Sequence, residues 1–313
     1  MNDRLRIFLG PASTRLGAEV CETLETAPAE YECRRFPDGE MQIEITAAVA
    51  GCDVVLLQST SPPVEQHLME LLLLADACRR AGAGRLTAVI PYLGYSRQDR
   101  RVDRRSLGAR VMAGLIATAR FDRLMLIDVH TSAIEGFFDI PLEHLTAVPL
   151  LARAAAPSMR ENSVVVAPDL GAVKRAREYA RLLDLPMAFI HKSRLSGEDV
   201  AAHGVIGDVR NRAPLVVDDM LSTGRTVEAA IDALRAAGAV EPISVAVTHA
   251  LLVGRARAVL RELPIARLIV GDSVPIEPPA VRQLEVTSLA PLVATAIRRA
   301  SRDESLSDLC VPA

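Results

Sequence analysis

The chain has 313 residues, enough for about two domains of ordinary size, each able to bury a core. Half of it is hydrophobic, yet aromatics make up 3% and tryptophan is absent, so the core must be built of Leu, Val, Ile and Ala. The net charge of −3 argues against general attraction to nucleic acid, and no apolar stretch approaches the roughly 18 residues of a membrane span.

The first residues, MNDRLRIFLG, are too short in their apolar part for a signal peptide and run straight into a strand pattern. Five dispersed cysteines without CxxC spacing suggest reduced thiols in the cytoplasm, not a disulfide frame or a zinc site. In chain order, short apolar or β-branched runs predict strands over 6–9, 54–58, 86–90, 124–127, 164–167, 187–190, 215–217, 243–247 and 268–270. Helical spacing predicts helices over 64–80, 172–183 and 227–237, among others. This alternation predicts an α/β fold with parallel sheets covered by helices. Nine strands suit two sheets better than one. A boundary is therefore expected between residues 146 and 157, dividing the chain into 1–146 and 147–313, and the residues from Ser301 on read as a loose tail. Ligand sites in such sheets lie beyond the carboxyl ends of the strands, so the residues after each run matter most.

After the strand at 86–90, Arg97, Arg100, Arg101, Arg104 and Arg105 fall within nine residues, interspersed with Gln98, Asp99 and Asp103. Guanidinium groups bind phosphate oxygens in bidentate fashion, so this density at a strand end suits several phosphates of one ligand. A solvated, internally paired charge run or a nucleic-acid patch is the alternative. The strand at 124–127 delivers Asp128 and His130. Residues two apart in an extended chain share a side, so one carboxylate and one imidazole are expected to face the same magnesium ion or its water shell.

Asp169 follows the strand at 164–167, where a cap on the next helix is the plain reading. Lys192 and Arg194 lie two apart after the strand at 187–190, ahead of a polar loop. Two cations there fit stabilisation of charge on a moving diphosphoryl group, and a random surface pair is the alternative.

The most informative stretch is VVDDMLSTGRT at 216–226. An apolar run ends in Asp218 and Asp219, and Ser222, Thr223 and Gly224 open a helix-patterned segment, with Arg225 and Thr226 at its start. A helix N-terminus offers unpaired N–H groups and positive dipole to a phosphate, and hydroxyls and a glycine let the anion come close. Paired carboxylates suit the hydroxyls of a sugar, or a metal carried with it. Together they describe a ribose-phosphate site; the plainer alternative is a capped helix after a strand.

That stretch resembles the PRPP-binding loop shared by phosphoribosyltransferases and ribose-phosphate diphosphokinases. RFPDGE at 35–40, QSTSPPVEQHLMELLLLADA at 58–77, PYLGYSRQD at 91–99, IDVH at 127–130 and GFFDIPLEHL at 136–145 resemble the ribose-phosphate diphosphokinase (PRPP synthetase) family, in that family's order. The resemblance runs from about residue 5 to residue 300. It implies two phosphoribosyltransferase-like domains, each a mainly parallel sheet flanked by helices, with ATP bound between them and between subunits of a homo-oligomer.

It further implies that Phe36, Asp38 and Glu40 contact adenine in the neighbouring subunit, and that Arg97, Gln98 and Arg100 hold ATP. His130 and Asp169 would contact Mg2+, with Asp128 nearby, and Lys192 and Arg194 would be catalytic. Asp218 and Asp219 would hold the ribose hydroxyls, and Ser222 to Thr226 the 5-phosphate. The partners are then ATP and ribose 5-phosphate, with no nucleic acid and no membrane.

The chain departs from the family pattern in places. Ser222 stands where many members carry aspartate, and Arg225 where a small residue is usual. Ser106-Leu107-Gly108 replaces the customary Glu-Pro and is one residue shorter. The Ser-Thr-Gly turn, APDLGA and KSRLS are closer to the archaeal-type members.

Overall fold

A computed structural model describes residues 4–193, 202–276 and 281–312; the side chains of residues 192, 193, 202 and 203 lie outside that description. Each of the nine apolar runs forms the body of a strand, and among the described residues five further strands join them. The chain divides into two compact units.

The first unit opens with β1 (Leu5–Leu9), α1 (Thr14–Thr23), the hairpin β2 (Tyr31–Arg35) and β3 (Met41–Ile45), and β4 (Asp53–Leu57). It continues with α2 (Val64–Arg80), β5 (Arg85–Ile90), α3 (Gly108–Thr118), β6 (Arg123–Ile127) and β7 (Leu142–Leu145). Its sheet has the order β1-β4-β5-β6-β7 and every pairing in it is parallel. Leu68, Leu71, Leu74, Ala75 and Cys78 recur on one face of α2 at helical spacing, and that face is buried in the core with Val54, Leu56, Leu86 and Ala88.

The second unit contains α4 (Val148–Ala155), β8 (Ser163–Ala167), α5 (Val173–Leu183), β9 (Met187–Ser193), β10 (Ala202–Ile206), β11 (Ala213–Leu221) and α6 (Arg225–Ala236). Then come β12 (Ile243–Ala250), α7 (Ala256–Glu262), β13 (Ile265–Gly271) and β14 (Leu284–Thr287). The sheet order is β10-β9-β8-β11-β12-β13-β14, parallel throughout except for β10 against β9. Every residue of β8 and β12 is buried, as expected of strands covered on both faces.

Two differences from the sequence-based expectation follow from packing. First, the strand predicted over 215–217 runs on to Leu221. The parallel ladder with β12 continues through Asp218 opposite Val247, Met220 opposite His249 and Leu221 opposite Ala250, so both aspartates lie on a strand. Second, the C-terminal segment 288–313, expected in the second domain with a loose tail, belongs to the first unit.

There α8 (Ala290–Ala300) packs on α1. Arg298 Nη2 donates to Thr23 O at 3.1 Å, and Arg85 reaches Asp303 at 2.9 Å and Ala300 O at 3.3 Å. The expected tail is tied down as well: the Thr146 amide donates to Leu309 O, the Val311 amide donates to His144 O, and Leu306 is buried. Among the described residues, no helix is long and apolar enough to cross a membrane.

Candidate active site

The 216–226 stretch is built by the end of β11 and the start of α6. Asp218 and Asp219 are successive residues near the end of the strand. Asp219 is buried, and its amide donates to Asp218 Oδ1 at 2.8 Å. Burial, reinforced by the neighbouring Asp219 carboxylate, pushes the Asp218 carboxyl well above the usual carboxylate range; the Arg175 guanidinium of α5 pulls the other way. Such a group gains from a ligand that donates hydrogen bonds to it, as a diol does.

The turn that follows turns its carbonyls inward. Leu221 O accepts from the amides of Leu251 and Leu252, Ser222 O from Val253, and Gly224 O from Glu228. Gly224 caps α6 with φ of 86°, a conformation that costs an L-residue strain, and no side chain caps the helix. Among the described residues, no acceptor takes the N–H groups of Gly224, Arg225, Thr226 or Val227. Thr223, Arg225 and Thr226 are exposed and Ser222 is half-buried. This is an open N-terminus with three hydroxyls and a guanidinium around it, an arrangement that accepts an anion.

Asp169 follows β8 and is half-exposed. Its Oδ1 accepts from the Ala172 amide at 3.2 Å, but Ala172 is itself the cap residue of α5 and carries no side-chain cap bond, so Asp169 lies outside the expected cap position. Lys192 is the sixth residue of β9, paired in register with His203 of β10. Arg194, the second expected catalytic cation, lies outside the described residues.

In the first unit, Phe36, Asp38 and Glu40 occupy the tip between β2 and β3. Phe36 is 46% exposed, Asp38 Oδ1 accepts from the Glu40 amide at 3.1 Å, and the Phe36 amide donates to Glu40 O at 2.8 Å. The tip therefore presents an aromatic face and two carboxylates outward. Arg97, Gln98 and Arg100 follow β5 and are exposed, as are Arg101, Arg104 and Arg105. None of these five arginines forms an ion pair among the described residues. An internally paired charge run is thereby excluded for the described side chains, and the guanidinium groups face solvent.

The Asp128 and His130 pair differs from expectation. β6 ends at Ile127, and Asp128 has φ of 41°, so the chain is not extended there and the shared-side argument does not apply. Asp128 is buried and its Oδ1 accepts from Thr146 Oγ1 at 2.9 Å, whereas His130 is exposed. Beside them the Val129 amide donates to His144 Nε2 at 3.0 Å. Thr146, His144 and Arg175 are partners that sequence reasoning passed over, since their roles arise from strand order and carry no local pattern.

A model of the N-terminal domain of ribose phosphate pyrophosphokinase matches residues 5–119, and a phosphoribosyl transferase domain model matches residues 143–267. A ribose-phosphate pyrophosphokinase of Gloeobacter violaceus is 40% identical over 312 residues, covering 98% of this chain and 93% of the relative. The chain belongs to the ribose-phosphate pyrophosphokinase family.

A Haemophilus influenzae ribose-phosphate pyrophosphokinase is likewise 40% identical, over 97% of this chain and 98% of its own. The crystal structure of phosphoribosylpyrophosphate synthetase from Mycobacterium smegmatis superposes with a TM-score of 0.89 at 37% identity, covering 96% of this chain and 100% of that one. The fold is thus that of a ribose-phosphate pyrophosphokinase, two α/β domains with parallel sheets flanked by helices, and the chain is an enzyme of that family. These relatives are bacterial, and the leaning toward archaeal-type members finds no support in them.

Proposed function

We propose that this enzyme transfers the β,γ-diphosphoryl group of ATP to the 1-hydroxyl of ribose 5-phosphate, giving PRPP and AMP. The observation that carries the site assignment is the pair of aspartates on β11, followed within five residues by the open N-terminus of α6. Asp218 and Asp219 bind the ribose hydroxyls, and the amides and hydroxyls from Ser222 to Thr226 hold the 5-phosphate, with Arg225 adding its charge. Arg97, Gln98 and Arg100 bind the triphosphate, and the Phe36, Asp38 and Glu40 tip contacts adenine in a neighbouring copy of a homo-oligomer.

The oxygen of the 1-hydroxyl attacks the β-phosphorus and its proton passes to solvent. The bond from that phosphorus to the α,β-bridging oxygen breaks, and AMP leaves with the electron pair. The residues position the two reactants in line and neutralise charge, which is where phosphoryl transfer gains most of its rate. Lys192 and Arg194 stabilise the diphosphoryl group as it moves.

Among the described residues there is no cluster of three His, Cys, Asp or Glu side chains able to cage a metal. Magnesium that arrives with a nucleotide needs no cage: it takes most of its oxygens from water and phosphate and only one or two from carboxylates. In the second unit Asp169, with one oxygen engaged by the Ala172 amide, fits such an ion or its water shell; in the first unit the exposed His130 does so, and Asp128 is held by Thr146. When bound, magnesium neutralises phosphate charge. The compartment is the cytoplasm.

The test is to incubate purified protein with ATP, magnesium and ribose 5-phosphate, and to follow AMP and PRPP together. Equal formation of both, abolished by chelator, is expected. AMP without PRPP, or a preference for another phosphorylated sugar in a substrate panel, would overturn the ribose 5-phosphate assignment.

A further inference from the structure

The turn that presents Arg97 and Gln98 is held by residues with no role so far. Past β5 the chain enters it through Tyr95, a non-glycine residue at φ of 61°, in the left-handed region. An L-residue with a large side chain stays there only when its surroundings hold it. The Gln98 amide closes the turn onto Tyr95 O at 2.9 Å, and the Ala109 amide donates to Gln98 O at 3.1 Å, joining the two ends of the arginine segment.

The Tyr95 hydroxyl donates to Glu65 Oε1, in the first turn of α2. That bond draws the Glu65 carboxyl below its ordinary range and raises the Tyr95 phenol. The carboxylate also sits at the positive end of the α2 dipole, which favours its ionised, accepting form.

The unusual Ser106-Leu107-Gly108 stretch supplies the other side. A Cβ on Gly108 would lie 2.6 Å from Gln98 Oε1, 2.9 Å from Gln98 Cδ and 3.0 Å from Tyr95 Cδ1. Ser106 Oγ stands 3.5 Å from Gln98 Oε1. Gly108 is therefore a seat: the absence of a side chain lets both Gln98 and the Tyr95 ring approach the start of α3.

We infer that Glu65, acting through Tyr95 and against the seat at Gly108, is a positioning residue that sets the Arg97–Gln98 turn for a nucleotide triphosphate. This rests on the reading of Arg97 and Gln98 as ATP contacts. The Glu65–Tyr95 bond pre-forms the left-handed turn, so ATP need not order it on binding.

Steady-state kinetics on the full chain test it. Glu65→Ala and Tyr95→Phe should each raise the KM for ATP about three- to tenfold, the effect of one net hydrogen bond. Their kcat, their KM for ribose 5-phosphate and their Tm should stay near wild type. Glu65→Gln keeps an acceptor and should restore most of the ATP affinity, and the double variant should be no worse than the worse single one, because both break one bond. Gly108→Ala should raise the same KM by displacing Gln98.

Unchanged ATP KM in both single variants, additive effects in the double variant, or equal losses in ribose 5-phosphate use would each overturn the inference. Arg97→Ala and Gln98→Ala separate the two layers. If they leave the ATP KM unchanged, the ATP-contact reading fails and this inference with it. If they raise it while Glu65→Ala and Tyr95→Phe do not, only the positioning role fails.

Discussion

Gly224→Ala tests the phosphate cradle through backbone geometry alone. Gly224 has φ of 86° at the cap of α6, and a Cβ there would stand 3.4 Å from Val259 Cγ1 and 3.8 Å from Ala256 Cα, ordinary contact distances. Space is therefore not the obstacle; the left-handed conformation is, at a cost of about 1–2 kcal/mol for an L-residue. That cost must surface in one of two places.

If the free protein keeps its turn, stability falls by about 1–2 kcal/mol, or roughly 2–8 °C in Tm for a chain of this size. If the turn relaxes in the free protein, ribose 5-phosphate must restore it on binding, and affinity falls about five- to thirtyfold. The two losses, added, should come to about the same 1–2 kcal/mol. Gly224→Asn should lose less than Gly224→Ala, because Asn tolerates the left-handed region. Denaturant unfolding without ligand and calorimetric titration with ribose 5-phosphate read the two parts separately. An alanine variant unchanged in both, or no milder with asparagine, would refute the claim that the left-handed cap shapes this site.

Asp218→Asn should impair ribose 5-phosphate use while leaving ATP binding near normal, and it should raise Tm at neutral pH. The Asp218 carboxyl is held well above its ordinary range, so the folded state binds its proton more tightly than the unfolded chain does. Its contribution to stability is intact below the ordinary aspartate range and is lost as pH rises through the raised one. The Tm gain of the variant should therefore shrink as pH falls, and a gain constant with pH in thermal scans would contradict the assignment. Arg225→Gly should raise the KM for ribose 5-phosphate at least about tenfold, the loss of one charge-assisted hydrogen bond; an unchanged KM means that the side chain points to solvent. Lys192→Ala should lower kcat on the order of 10²-fold or more with little change in substrate binding, comparable with loss of one preorganised donor. Pre-steady-state product formation at the wild-type rate would remove Lys192 from the catalytic group.

Much was legible in the amino-acid sequence because buried parallel strands must be apolar on both faces. Continuous runs such as Val164 to Ala167 and Ile243 to Val247 therefore announced themselves, and α2 ends where its periodicity ends. The Ser-Thr-Gly turn was legible for a related reason, since a left-handed cap strongly restricts the residue types it accepts.

The strands passed over had no such signature. β2 and β3 form an exposed hairpin of mixed composition, and β7, β10 and β14 are short pieces at or near sheet edges, where one polar face is tolerated. Only the tertiary structure decided the extension of β11 under Asp218 and Asp219, because a ladder is fixed by the neighbouring strand and not by local pattern. It alone turned Asp128 inward to Thr146, a residue 18 positions away brought beside it by the pairing of β6 with β7. It alone returned α8 to α1, a contact between the two ends of the chain that no local pattern encodes. Periodicity and turn chemistry act within a few residues and are written locally. Strand order, register and long-range contacts are free energies of the whole fold, and they settle which of the locally permitted side chains meet.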